Sequence, residues 1–187
     1  MEPPALLIDI DGVLNPFPGP QGSVPPGYRP HRVSPEGHRN ILVWLDPRHG
    51  AWITATAAMG LVRPVWASSW MADADRCVGR HAGLDPQPYI DLGRPGICTP
   101  HPNGYLWKRD SVRTWAADRP LAWIDDDFTD ADHAWAAQRT RAGTPTLLVQ
   151  PDPHIGLRRG HLQAVRLWAV GLIHEQEAEE GHATAPG

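Results

Sequence analysis

Four short stretches of the chain are apolar on neighbouring positions rather than alternate ones, apart from Arg63 and Thr146 near their starts: Ala5-Leu6-Leu7-Ile8, Val62 to Ala67, Leu121-Ala122-Trp123-Ile124 and Thr146 to Val149. Runs of this kind belong to strands covered on both faces, as in a parallel sheet. A fifth run, Ile41 to Leu45, predicts another short strand. Helices are predicted between them. Asp46-Pro47 supplies a capping side chain and a first-turn proline for a helix to about Met59, which Gly60 stops. Further helices are expected over Ala72 to His81 (ended by Gly83), Lys108 to Ala117, Thr129 or Asp130 to Arg141, and Leu157 to Ile173. Pro16 to Pro35 is rich in Pro and Gly and reads as an extended loop, and residues 84–106 read mostly as loop.

Strands alternating with helices predict an α/β fold, a Rossmann-like doubly wound parallel sheet. One domain is expected over residues 1–173, with a polar tail, 174–187, that frays. In such sheets ligands bind beyond the carboxyl ends of the strands. Asp9 and Asp11, Ser68 and Ser69, and Asp125 to Asp127 all follow predicted strands, so the topology alone gathers them at one end.

Composition narrows the partners. Net charge is −4 with mixed signs along the chain, so there is no broad basic footprint for nucleic acid. Two cysteines make no disulfide framework, and a reducing, cytoplasmic setting is expected. The apolar run at Ala5 is cut off by acidic residues and has no basic leader, so no signal peptide is expected. No apolar stretch approaches the roughly 20 residues that span a bilayer. A soluble protein with no membrane partner is expected.

Asp9 and Asp11 lie just past a buried strand, where two carboxylates are costly unless compensated. A hard divalent cation such as Mg²⁺, which takes oxygen ligands together with water and phosphate, would compensate them. A carboxylate in line with phosphorus can attack it to form an aspartyl-phosphate, and a second carboxylate can serve as acid and then base. A calcium loop does not fit, because Gly12 comes too early and the spaced acidic positions are missing. Lys108 is the only lysine among 17 Lys and Arg residues, a compact ammonium suited to a point contact with phosphate. Arg109 is the second candidate for that role.

Ile8-Asp9-Ile10-Asp11-Gly12-Val13-Leu14 resembles the first motif of the haloacid-dehalogenase-like (HAD) superfamily. The resemblance implies Asp9 as nucleophile and Asp11 as acid/base, and the second Asp favours phosphoryl transfer over dehalogenation. Val65-Trp66-Ala67-Ser68-Ser69-Trp70 is similar to the second motif, with Ser68 binding phosphate. Lys108 matches the third. Trp123-Ile124-Asp125-Asp126-Asp127 is similar to the fourth and implies a metal set of Asp9, Asp11, Asp125 and Asp126. Asp126 would bind directly, and Asp125 would assist or act through water. Asp127 and Asp130 are expected to cap the next helix. The short gaps between motifs imply a capless enzyme with a flap over about residues 16–45.

The Pro-rich flap, the Trp-Ala-Ser-Ser-Trp segment, Trp-Ile-Asp-Asp-Asp and Gly156-Leu157 together resemble HAD domains associated with bacterial "Swiss Army Knife" RNA-repair proteins. The implied activity is a Mg²⁺-dependent phosphatase on a phosphorylated small molecule or a nucleic-acid end. The alternatives are a non-catalytic domain that binds a phosphorylated ligand, and a phosphotransferase with an acceptor other than water. Trp70 and Trp107 are candidates for substrate contact, while Trp52, Trp66, Trp115, Trp123, Trp135 and Trp168 are expected in the core. Cys77, His81, Cys98 and His101 have the donor types of a zinc site, although their spacing matches no standard one.

Overall fold

The computed structural model describes residues 2–93 and 102–183. Four strands, β1 (Ala5–Ile8), β4 (Arg63–Trp66), β5 (Leu121–Ile124) and β6 (Thr146–Val149), form one parallel sheet in the order β4-β1-β5-β6. These are the four consecutive-apolar runs. Alternation along each strand divides its side chains between two cores. Leu6, Ile8, Ala122 and Ile124 enter one, with Ile53 of α1 (Arg48–Ala58) and Leu162, Val165 and Ala169 of α5 (Arg159–Ala183). Ala5, Leu7, Leu121 and Trp123 enter the other, with Val112 and Ala116 of α3 (Arg109–Ala116) and Trp135 of α4 (Asp130–Arg141). Helices on both faces are what make continuous apolar strands stable here.

Two local expectations change, and a third is met with a local irregularity. Part of the stretch read as loop is a strand: β2 (Arg29–Val33) pairs antiparallel with β3 (Ile41–Leu45), Val33 opposite Ile41 and Arg29 opposite Leu45. Pro30, His31 and Arg32 hide it in the sequence, because a two-stranded ribbon outside the main sheet buries few of its residues. The helix expected over Ala72 to His81 is present as a continuous helical stretch over residues 73–82, but its middle, Asp75–Gly79, is π-helical and only its last turn, α2 (Arg80–Ala82), returns to α geometry before left-handed Gly83 ends it as expected. The Asp75 carboxylate, at the start of the π-turn, accepts hydrogen bonds from Trp66 Nε1 (2.7 Å) and the Gln87 backbone (3.0 Å). Finally, α5 continues to Ala183 through residues read as a frayed tail. Glu, Gln and Ala there are strong helix formers, and His174 lies 3.7 Å from Glu177 one turn on. Among the described residues no helix is long and apolar enough to cross a membrane.

The ribbon, α1 and the loop before α5 meet around His49, which is 1% exposed. Its ring stands against Tyr28 and Trp52, each 5.4 Å between centroids, and its Nδ1 has no hydrogen-bond partner. Burial holds its pKa down, at about 4. In the unfolded chain the imidazole takes up its proton near pH 6.5, whereas the folded ring stays neutral. Stability from this residue is therefore intact above pH 6.5 and falls between pH 6.5 and about 4. The expected loss is roughly 3 kcal/mol, at about 1.4 kcal/mol per unit. Urea unfolding of wild type and His49→Gln over that range checks it. Parallel pH profiles would show that His49 is not responsible.

Candidate active site

β1 and β5 are neighbours with Ile8 opposite Ile124. That register places the next residue of each, Asp9 and Asp125, side by side at the carboxyl end of the sheet. The Asp9 N–H bonds to Ile124 O (3.0 Å) and the Asp125 N–H to Val149 O (3.2 Å), so the backbone of both is fixed. Lys108, the residue before α3, lies between them. Its Nζ is 2.6 Å from Asp9 Oδ2 and 2.7 Å from Asp125 Oδ2, and it is only 4% exposed.

Lys108 is positioned by a residue the sequence reading did not single out. The Asp132 carboxylate, fully buried, accepts hydrogen bonds from the Leu106 backbone (3.0 Å), the Thr129 backbone (2.9 Å) and the Thr129 hydroxyl (2.8 Å). It caps α4 and pins the loop that carries Lys108. The Thr-x-x-Asp spacing was the available signal. Thr129, one of the two residues expected to start the helix, is the cap; Asp130 is the first helical residue, and Asp127, also expected to cap, lines the cleft instead. Arg109 turns away from the cleft, donating to Ala131 O (2.9 Å) and Asp132 (3.3 Å).

Asp126 is brought in by a close approach. Gly12 has φ +75°, and a Cβ there would lie 2.2–2.4 Å from the Asp126 carboxylate atoms. Only glycine leaves that space while accepting the left-handed backbone at little cost. Gly12→Ala is expected to displace Asp126, to weaken divalent-cation binding measured by calorimetry, and to cost about 1–2 kcal/mol from the backbone alone. Unchanged cation affinity would mean that Asp126 takes no part in binding.

Among the described residues, Asp9, Asp125 and Asp126 offer carboxylate oxygens that all lie within 4.8 Å of one another. Asp11, expected in the metal set, is outside that trio. Its Oδ1 accepts from Asn15 Nδ2 (2.7 Å) and its Oδ2 from Trp70 Nε1 (2.8 Å). Trp70, expected at the substrate, is thus occupied with orienting Asp11. Asn15 also accepts from the Trp44 backbone of β3 (2.8 Å), tying the ribbon to the site. Its place in the loop just after the paired aspartates was the only hint.

The charges do not balance. Burial alone would lower the Lys108 pKa, but Asp125 and Asp9 reverse this and raise it, keeping the ammonium charged. One ammonium faces three carboxylates. The excess appears as a raised pKa at Asp125, through complete burial and the charges of Asp9 and Asp126 working against Lys108. Asp126 is raised to about 6 by burial and by Asp9. Burial also raises Asp11, aided by Asp9 and opposed by its bonds to Asn15 and Trp70. A divalent cation among Asp9, Asp125 and Asp126 would remove this imbalance, so the residues present fit one.

The cluster opens into a cleft of about 440 Å³, whose lining includes Asp9, Asp11, Phe17, Trp107, Lys108 and Asp126. Trp107 is therefore where substrate contact was expected. Ser68 is 1% exposed, with Oγ buried and unpartnered, and the cleft wall at that point is Ser69. Of the zinc candidates, Cys77 is buried and the His81 ring lies 4.5 Å from that of His31, while Cys98 and His101 fall outside the described residues. No family model matches this chain, and no curated protein matches it.

Proposed function

We propose that the protein is a Mg²⁺-dependent phosphohydrolase of the HAD-like kind, acting on a phosphomonoester through an aspartyl-phosphate. The observation that carries this reading is the buried Lys108 ammonium bridging Asp9 and Asp125, with Asp126 beside them, at the carboxyl ends of adjacent parallel strands. Asp9 is the nucleophile. A carboxylate oxygen forms a bond to phosphorus as the bond from phosphorus to the leaving oxygen breaks. Asp11, held by Asn15 and Trp70 with its pKa raised, gives its proton to that leaving oxygen. It then takes a proton from water, whose oxygen attacks phosphorus and frees Asp9 and phosphate. Lys108 holds Asp9 in place and offsets charge on the phosphoryl oxygens.

Asp9, Asp125 and Asp126 are the residues that would hold Mg²⁺, with Asp9 and Asp126 lining the cleft and Asp125 fully buried behind them. When bound, the ion supplies charge neutralisation at the transferring phosphoryl group. Ser68, two residues past β4 on the other flank of β1, has an unpaired hydroxyl that suits a phosphoryl oxygen once substrate or a small side-chain movement opens the path. The β2–β3 ribbon, joined to Asp11 through Asn15, is the flap of a capless site. The substrate class is a phosphorylated small molecule or a nucleic-acid end.

Phosphate release from a panel of phosphomonoesters, with and without Mg²⁺ and including 5′- and 3′-phosphorylated oligonucleotides, tests this. Magnesium-dependent release is expected. Release from oligonucleotides alone selects nucleic-acid ends, and release from small esters alone selects small molecules. No release from any member would favour a domain that binds phosphorylated ligands without turning them over.

A further inference from the structure

α5 packs on the core through Leu162, Val165 and Ala169, with Val170 partly buried at its edge, while a neighbouring stripe of the same helix is mostly exposed among the described residues. Arg159, Gln163, Arg166, Val170, Ile173 and Glu177 follow one another in steps of four and three, which keeps them on one stripe. Its first half, with Trp52 of α1 and Leu167, walls a groove of about 560 Å³. Leu167 is 67% exposed, more than any other large hydrophobic among the described residues, and Ile173 is 41% exposed. A Cβ on Gly171, near the middle of the stripe, would meet nothing within 4 Å, so the space beside the helix is open there.

The charges along the stripe are ordered. Arg159 and Arg166 stand at its start, apolar residues fill its middle, and Glu177 stands at its end, where the sequence from Glu175 onward is acidic. A stripe that is basic at one end and acidic at the other complements itself when a copy is turned end for end. We propose that this face joins two copies of the chain, with their α5 helices antiparallel about a two-fold axis near Val170. Ile173 of one copy fills the groove beside Leu167 of the other, and Glu177 faces Arg166. Each contact occurs twice, as an isologous interface requires.

Sedimentation velocity of the full chain between about 1 and 100 µM is expected to show a concentration-dependent dimer. Arg166→Glu and Glu177→Arg each create two like-charge contacts per dimer, and each is expected to weaken pairing at least about tenfold. An equimolar mixture of the two variants restores both opposite-charge contacts, and it is expected to recover the dimer as a heterodimer. Leu167→Asp is expected to give a monomer. All three positions are exposed, and circular dichroism confirms that each variant is folded. A wild-type chain that stays monomeric over the range overturns the proposal and leaves the groove to another occupant. A dimer indifferent to these substitutions, or a mixture that fails to pair, overturns it equally.

Discussion

Asp9→Asn is expected to abolish magnesium-dependent phosphate release, lowering turnover by on the order of 10⁴-fold or more, as loss of a nucleophile does. The amide has the shape of the carboxylate, but its oxygen is a poor nucleophile towards phosphorus. The fold should survive. Lys108 keeps Asp125 at 2.7 Å, and the substitution removes one charge from a cluster that already carries an excess. The unfolding midpoint should therefore stay near that of wild type while activity disappears. The pair of measurements separates chemistry from folding. Activity within a few-fold of wild type would remove Asp9 as nucleophile and, with it, the aspartyl-phosphate.

Lys108→Met is expected to cost stability as well as activity. The methionine is similar in length and apolar, so packing is largely kept, but Asp9 and Asp125 lose their shared cation while remaining buried. Removing one partner from a buried ion pair costs about 3–5 kcal/mol, because the other charge is left uncompensated. Urea unfolding should show a loss of that size. Millimolar Mg²⁺ should return part of it, since a cation among the same carboxylates replaces the missing charge. A loss below about 1 kcal/mol would mean that the two carboxylates rehydrate or protonate without strain. A large loss that Mg²⁺ leaves untouched would count against a cation at this cluster.

The extent to which the site was legible follows from how each residue is placed. Asp9 and Asp125 were readable because each immediately follows an apolar strand, and parallel strands in register align their ends. Lys108 was readable from its solitude in an arginine-rich chain. The use of Trp70, the tie from Asn15 to the ribbon and the hold of Asp132 on the Lys108 loop were not, because these are contacts across 59 residues for Trp70 and Asp11, 29 for Asn15 and Trp44, and 26 for Asp132 and Leu106. No local pattern encodes such pairings. The β2 strand escaped for a different reason: β-structure at a ribbon outside the main sheet depends on its partner, and Arg29–Val33 has one buried residue.

The sequence by itself determined the four-stranded parallel sheet, the helices that cover it and the end at which acidic residues collect. Apolar runs must be buried on both faces, and polar residues that terminate them must then project past the strand ends. The tertiary structure decided how the acids divide. Asp9, Asp125 and Asp126 converge because strand register and the missing side chain of Gly12 allow it, whereas Asp11 is drawn aside by Asn15 and Trp70. Carboxylates are chemically alike, and only the distances to their neighbours give each its own charge and task.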